Sequence, residues 1–256
     1  MPEPLHTVNY AGPASERPLL IVHGLFGSAR NWNGLAKRFA LKRPVTCVDL
    51  RNHGQSPWAA TQSYEDMAED LAGVVETIGG PVDLLGHSMG GKAAMMLALD
   101  RPDLVARLVV ADIAPVAYTH SHAPFIGAMR GLDISSVTRR SEAEALLAPV
   151  VEDAPTRAFL LSSLDLSSEP PRWMLNLEVL EREMPKILSF PAQDGQYQGP
   201  SLFLSGGASH YVRPEHHGLI EALFPAVGFD VLEGAGHWLH AEKPREFIAS
   251  VEAFLV

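Results

Sequence analysis

Residues Leu84 to Leu97 read LLGHSMGGKAAMML, and the stretch fits two different chemistries. Gly86-His87-Ser88-Met89-Gly90 matches G-x-S-x-G, a sharp strand-to-helix turn that presents a nucleophilic serine. In another frame Gly86, Gly91 and Lys92 match G-x-x-x-x-G-K, most of a phosphate-binding loop. The phosphate loop ends in Ser or Thr, whose hydroxyl holds magnesium, and Ala93 stands there instead. The serine turn loses nothing, because Gly86 and Gly90 fall where backbone crowding excludes side chains. The stretch therefore reads as a nucleophile turn around Ser88, with Lys92 a structural hydrogen-bond donor.

Working outward, short apolar runs alternate with helical patterns. PLLIVHG, PVTCVDL, VDLLGH and VARLVVADIA read as strands; WNGLAKRFA, SYEDMAEDLAGVVETI and KAAMMLAL read as helices. Apolar runs without polar alternation predict strands buried on both faces, hence an α/β fold with a mostly parallel sheet between helices. From about Tyr118 to Pro200 no strand is expected, and helical segments are cut by prolines. In RWMLNLEVLEREM, Trp173, Leu177, Leu180 and Met184 share one helical stripe before Pro185. Strand and helix alternation resumes with PSLFLSGG and VGFDVLEG and closes on EKPREFIASVEAFLV. The expected organisation is a core of residues 1–117 and 200–256, with a helical cap, 118–199, inserted in it.

Composition narrows the function classes. A net charge of -10 opposes nucleic acid and anionic membranes as partners. The single cysteine, Cys47, permits no internal disulfide and sits in an apolar run as a buried small residue. The opening MPEPLHTVNYAGPASERP lacks a signal-peptide apolar core, so the expectation is a cytoplasmic protein without a stable membrane anchor. His120 with His122, and His216 with His217, lack metal-ligand spacing, and no metal site is expected. Oligomeric state is left open.

An acyl-transfer serine needs a base, an orienting carboxylate and two oxyanion donors, all at the carboxyl ends of the strands. His237, in the loop after VGFDVLEG, is favoured over His240 because Gly234-Ala235-Gly236 lets that loop curl over the sheet edge. The loop after SLFLSGG, where an acid is often found, offers Ser209 instead. Asp194 and Asp230 fall towards the wrong edge, and Glu233 is only four residues from His237. Asp112, ending VARLVVAD on the active edge, is the expected acid. The oxyanion donors are the N–H of Met89 and that of Leu25 in HGLFGS, with Phe26 the alternative to Leu25. Phe26 and Trp173 are the expected pocket residues, under a roof drawn from Phe125, Met129, Phe159, Trp173 and Met174. His23, Arg51 and His53 are expected to hold nearby loops in shape.

HGLFGS, DLRNHGQS, GHSMGGK, ADIAPV and GAGHWLHAEKP together resemble the α/β-hydrolases, and more narrowly the esterase group containing bacterial YbfF and the eukaryotic abhydrolase-domain-11 proteins. The resemblance covers essentially the whole core. It implies Ser88 as nucleophile, His237 as base and Asp112 as acid, and Gly206 to Ser209, GGAS, matches the GGxS loop of that group. It also implies hydrolysis of small-molecule carboxylic esters, sometimes thioesters, without a cofactor, and the apolar roof suggests short to medium acyl chains. A slow-turnover ligand-binding protein, or a C–C hydrolase or perhydrolase on the same three residues, is the alternative.

Overall fold

A computed structural model describes residues 3–119 and 122–256. Its seven-stranded sheet contains β1 (Thr7–Tyr10), β2 (Leu19–Val22), β3 (Val45–Val48), β4 (Val82–His87), β5 (Val105–Ala111), β8 (Ser201–Gly206) and β9 (Val227–Leu232). The strand order is β1-β3-β2-β4-β5-β8-β9. Only β1 runs antiparallel to its neighbour; the other pairings are parallel.

The unbroken apolar runs follow from helices on both faces. Leu20, Val22 and Leu84 pack into one cluster, with α2 (Tyr64–Ile78) and α3 (Met89–Asp100). Leu19, Ile21 and Leu85, the alternate residues, pack into the other with α1 (Asn33–Phe39) and α11 (Pro244–Phe254). Successive side chains on a strand point to opposite faces, so both sets must be apolar. β1 lies at the edge and is mostly half-buried, and the sequence gives no apolar run to mark it.

Between β5 and β8 the chain leaves the sheet. It forms α4 (Ala123–Gly131), α5 (Arg140–Leu147), α6 (Ala154–Leu161), a two-residue ribbon of β6 (Leu164–Asp165) and β7 (Arg172–Trp173), α7 (Leu177–Arg182) and α8 (Met184–Leu188). The ribbon is an addition to the helices expected there. Trp173 sits in β7, outside the helical stripe expected for it, because the helix begins only at Leu177, after the Asn176 side chain caps it by accepting from the Val179 N–H. Pro185 likewise opens α8 instead of ending a helix, since the first turn has no need of its missing N–H.

The remaining helices, α9 (Pro214–Leu223) and the short α10 (Leu239–Glu242), follow β8 and β9. Among the described residues no helix is long and apolar enough to cross a membrane.

Candidate active site

Ser88 stands between β4 and α3 with φ 53° and ψ -123°, a conformation that non-glycine residues rarely adopt. The strain is held in place by close approach of the chain. A Cβ at Gly90 would meet the His23 carbonyl oxygen at 2.3 Å, so only glycine lets the turn pack against β2. Phe26, Asn52 and Asp112 also have positive φ, at 64°, 63° and 52°. Phe26, in the loop after β2, and Asp112, at the end of β5, lie near Ser88, and such strain gathers where surrounding structure imposes a functional geometry.

His237 reaches Ser88 from the loop after β9. Its Nε2 lies 3.0 Å from Ser88 Oγ, and its Nδ1 lies 2.7 Å from Asp112 Oδ2. The carboxylate accepts, so Nδ1 carries the proton and Nε2 turns a lone pair to the serine hydroxyl. The loop can come this close because Gly206 has no side chain: a Cβ there would lie 2.4 Å from the Gly236 carbonyl oxygen. Tyr211 stacks on the His237 ring at 3.9 Å between centroids and 20° between planes.

Asp112 is fully buried at the end of β5. A buried carboxylate must be matched by donors, and three are present. Gly206 N–H donates to Oδ1 at 3.0 Å, while Ser209 Oγ and His237 Nδ1 both meet Oδ2, at 2.5 and 2.7 Å. Ser209, which stands where an acid is often found and ends the GGAS loop, thus donates to the acid itself. A hydroxyl just beyond a strand end, after two glycines, was the available signal.

The backbone N–H groups of Leu25 and Met89 carry no hydrogen bond among the described residues. That of Met89 opens α3, where the helix dipole favours negative charge. The loop carrying Leu25 is shaped by His23: Leu50 N–H donates to its Nε2 at 3.0 Å, so Nδ1–H donates to the Gly24 carbonyl at 2.7 Å. Burial lowers the His23 pKa to about 4, which keeps the ring neutral for both roles.

A cavity of about 230 Å³ opens over Ser88. Leu25, Phe26, Phe125, Phe159 and Leu160 line it, as do Trp238 and Tyr211. Trp173 does not; it lines a separate cleft together with Met174. Its indole N–H donates to the Met129 carbonyl, and Met129 is itself fully buried, so both belong to the packing of the inserted helices.

The other singled-out residues lie around this centre. Lys92, 1% exposed, donates to the carbonyls of Val116, Leu188 and Ser189 at 2.8, 3.3 and 2.6 Å. It ties the chain after β5 and the end of α8 to the helix behind Ser88, and burial lowers its pKa to about 7. Arg51 grips Asp70 through Nε and Nη2 at 2.6 and 2.8 Å, and His53 Nδ1 lies 2.9 Å from the Arg51 carbonyl. Neither lines the cavity. Among the described residues no group of three or more His, Cys, Asp or Glu could hold a metal ion; His120 lies outside them.

The arrangement can withdraw a proton from a hydroxyl and offer two amide donors to an adjacent oxyanion. Known proteins resemble the whole chain in sequence and fold. The α/β hydrolase fold family model matches residues 17–244. The mouse (Mus musculus) sn-1-specific diacylglycerol lipase ABHD11 is 45% identical over 263 residues, covering 99% of this chain and 86% of the mouse protein. Esterase YbfF of Escherichia coli (strain K12) is 36% identical, covering 93% of this chain and 92% of that protein. A solved marine microorganism esterase superposes with a TM-score of 0.93 at 36% identity, covering 98% of this chain and 99% of that one. The chain belongs to the α/β-hydrolase fold family, within the group that contains esterase YbfF and the ABHD11 proteins.

Proposed function

We propose that the protein is a serine hydrolase that cleaves carboxylic esters of short to medium acyl chains through Ser88, His237 and Asp112. One observation carries this reading: the continuous line from Asp112 Oδ2 through the His237 ring to Ser88 Oγ, with spans of 2.7 and 3.0 Å. It gathers residues from three distant parts of the chain at one rim of the sheet. Relatives named as esterases or lipases support the same class of reaction.

In the proposed mechanism His237 Nε2 takes the Ser88 proton as Oγ attacks the ester carbonyl. The Leu25 and Met89 amides stabilise the tetrahedral oxyanion. His237 then returns the proton to the departing alcohol, leaving an acyl-serine. Water, deprotonated by the same imidazole, releases the acid and restores the hydroxyl. Asp112 holds the ring in the required tautomer and stabilises its charged form. No step draws on a cofactor. Residues 118–199 act as the cap over this centre.

Cavity size argues for modest substrates. At about 230 Å³ it falls below the ~300–1,000 Å³ typical of drug-sized ligands. A panel of p-nitrophenyl esters and acyl thioesters of graded chain length, run beside Ser88→Ala, tests the reading. The expected result is a peak at short to medium chains that vanishes in Ser88→Ala. Native rates in that variant would reject the serine mechanism, and stoichiometric acylation with very slow release would favour the ligand-binding alternative.

A further inference from the structure

The loop after β8 carries one side chain that the mechanism leaves without a role. Tyr211 stacks on the His237 ring with centroids 3.9 Å apart and 20° between planes, so the flat face of the phenol meets the imidazole. The backbone of Tyr211 is held at both of its polar groups. Its N–H donates to Ser209 Oγ at 3.3 Å, the hydroxyl that itself donates to Asp112 Oδ2. Its carbonyl accepts from the Tyr118 hydroxyl at 2.7 Å, and that hydroxyl oxygen accepts in turn from the Ala114 N–H at 2.9 Å. One strut ties Tyr211 to the acid, the other to the chain leaving β5.

A stacked ring acts on a working imidazole through the charge that the imidazole gains. An aromatic face is electron-rich, so it attracts a cation more strongly than it attracts a neutral ring. During acyl transfer His237 passes from neutral to charged and back, so this contact is stronger in the transition state than before it. Tyr211 must itself stay neutral to act in this way. Burial and the nearby Asp112 carboxylate push its phenol up to about 12.

The other titratable groups around the His237 ring do not duplicate this effect. Asp112, at the end of β5, meets the ring edge at Nδ1. The His87 ring, at the end of β4, lies 4.8 Å away and tilted by 40°, and burial holds its pKa well below the usual range. The pKa of His240, in α10, is lowered to about 3, first by burial and then by His237. Both of these rings therefore stay neutral where an imidazole base works. Glu242, also in α10, turns its carboxylate to the Gly236 N–H at 2.7 Å. Tyr118 packs beside Tyr211 with centroids 5.1 Å apart, its phenol likewise raised by burial. Tyr211 stands closer to His237 than His87 does, and more nearly parallel.

We propose that Tyr211 is a positioning residue for the hydrolysis: it backs the His237 imidazole with an electron-rich face and stabilises the imidazolium that forms as Ser88 attacks. The proton moves as before, from Ser88 Oγ to His237 Nε2 and on to the leaving alcohol. The phenol hydroxyl takes no part in that transfer, so a plain phenyl ring serves the same purpose. This inference rests on the serine-hydrolase reading above.

The test is the pH profile of kcat/KM on one p-nitrophenyl ester, whose acid limb marks protonation of the base in the free enzyme. Without the stacked ring the charged imidazole is harder to form. In Tyr211→Leu the limb should therefore move to lower pH by about 0.5–1 unit, and the plateau should fall by about three- to tenfold. Tyr211→Phe should return the limb to its wild-type position. Tyr211→pentafluorophenylalanine keeps the size of the stack and reverses the charge of its face, so it should move the limb at least as far as leucine does. The limb is read within each protein, so a lost substrate contact in the cavity wall lowers the plateau without moving it. The fluorinated ring decides the matter if Tyr211→Leu does not fold. A limb that keeps its wild-type position in the leucine or the fluorinated variant, or that moves as far in Tyr211→Phe, would overturn the assignment and leave Tyr211 as packing. Wild-type hydrolysis no faster than that of Ser88→Ala would instead reject the serine-hydrolase reading.

Discussion

Ser209 Oγ lies 2.5 Å from Asp112 Oδ2, the carboxylate oxygen that also meets His237 Nδ1. The imidazole and the hydroxyl therefore compete for, and jointly fix, one oxygen of the acid. Removing the hydroxyl leaves Asp112 with two donors and more freedom to turn. Hydrogen bonds to charged groups contribute roughly 1.5–3 kcal/mol, so Ser209→Ala should lower kcat by about tenfold with little change in KM. Asp112→Asn should fall much further, by about 10⁴-fold, because the ring then loses its tautomer. Steady-state kinetics on one ester decide both, and full activity in Ser209→Ala would show that the contact does not position the acid.

Chain-length preference should depend on Phe159 and not on Trp173. Phe159 lines the Ser88 cavity and packs on Trp238 with centroids 5.4 Å apart. Phe159→Ala should enlarge the cavity and move the kcat/KM maximum towards longer acyl chains. Trp173→Phe removes the bond to the Met129 carbonyl, so it should lower the melting temperature and leave the chain-length profile where it was. A profile shifted by Trp173→Phe and not by Phe159→Ala would place the acyl site elsewhere.

Acid should unfold the protein through its buried histidines. Burial lowers the pKa of His23 to about 4 and of His53 and His240 to about 3, with neighbouring His23 and His237 adding to the effect on the latter two. The unfolded chain takes up these protons near pH 6.5, while the folded chain refuses them until the pH is far lower. Stability from each ring is thus present above about pH 6.5 and lost as pH falls towards the folded values. At pH 5 the loss is about 2 kcal/mol per ring, a large share of the ~5–15 kcal/mol that holds a typical domain together. The melting temperature should drop by about 10 °C or more between pH 7 and pH 5, a range above the usual carboxylate titrations. A flat profile there would mean that these rings are not buried neutral.

The parts of the molecule legible in sequence were those whose chemistry leaves few residue choices. Gly90 must be glycine because the His23 carbonyl occupies the space of a side chain, so the turn around Ser88 announces itself. The doubly buried strands read clearly because Leu19 and Leu20 face two different cores. β1 was silent: an edge strand with one covered face needs no apolar run. Trp173 read as helical because its spacing to Leu177 and Leu180 fits a stripe, yet the side chain of Asn176 starts the helix after it.

The most direct measurement is intact-mass analysis after exposure to a fluorophosphonate, with peptide mapping of the adduct. The account predicts one adduct per chain, on the peptide containing Ser88, with hydrolysis lost in proportion to labelling and no adduct on Ser88→Ala. Unmodified Ser88 in an inactivated protein, or equal labelling of Ser88→Ala, would contradict it.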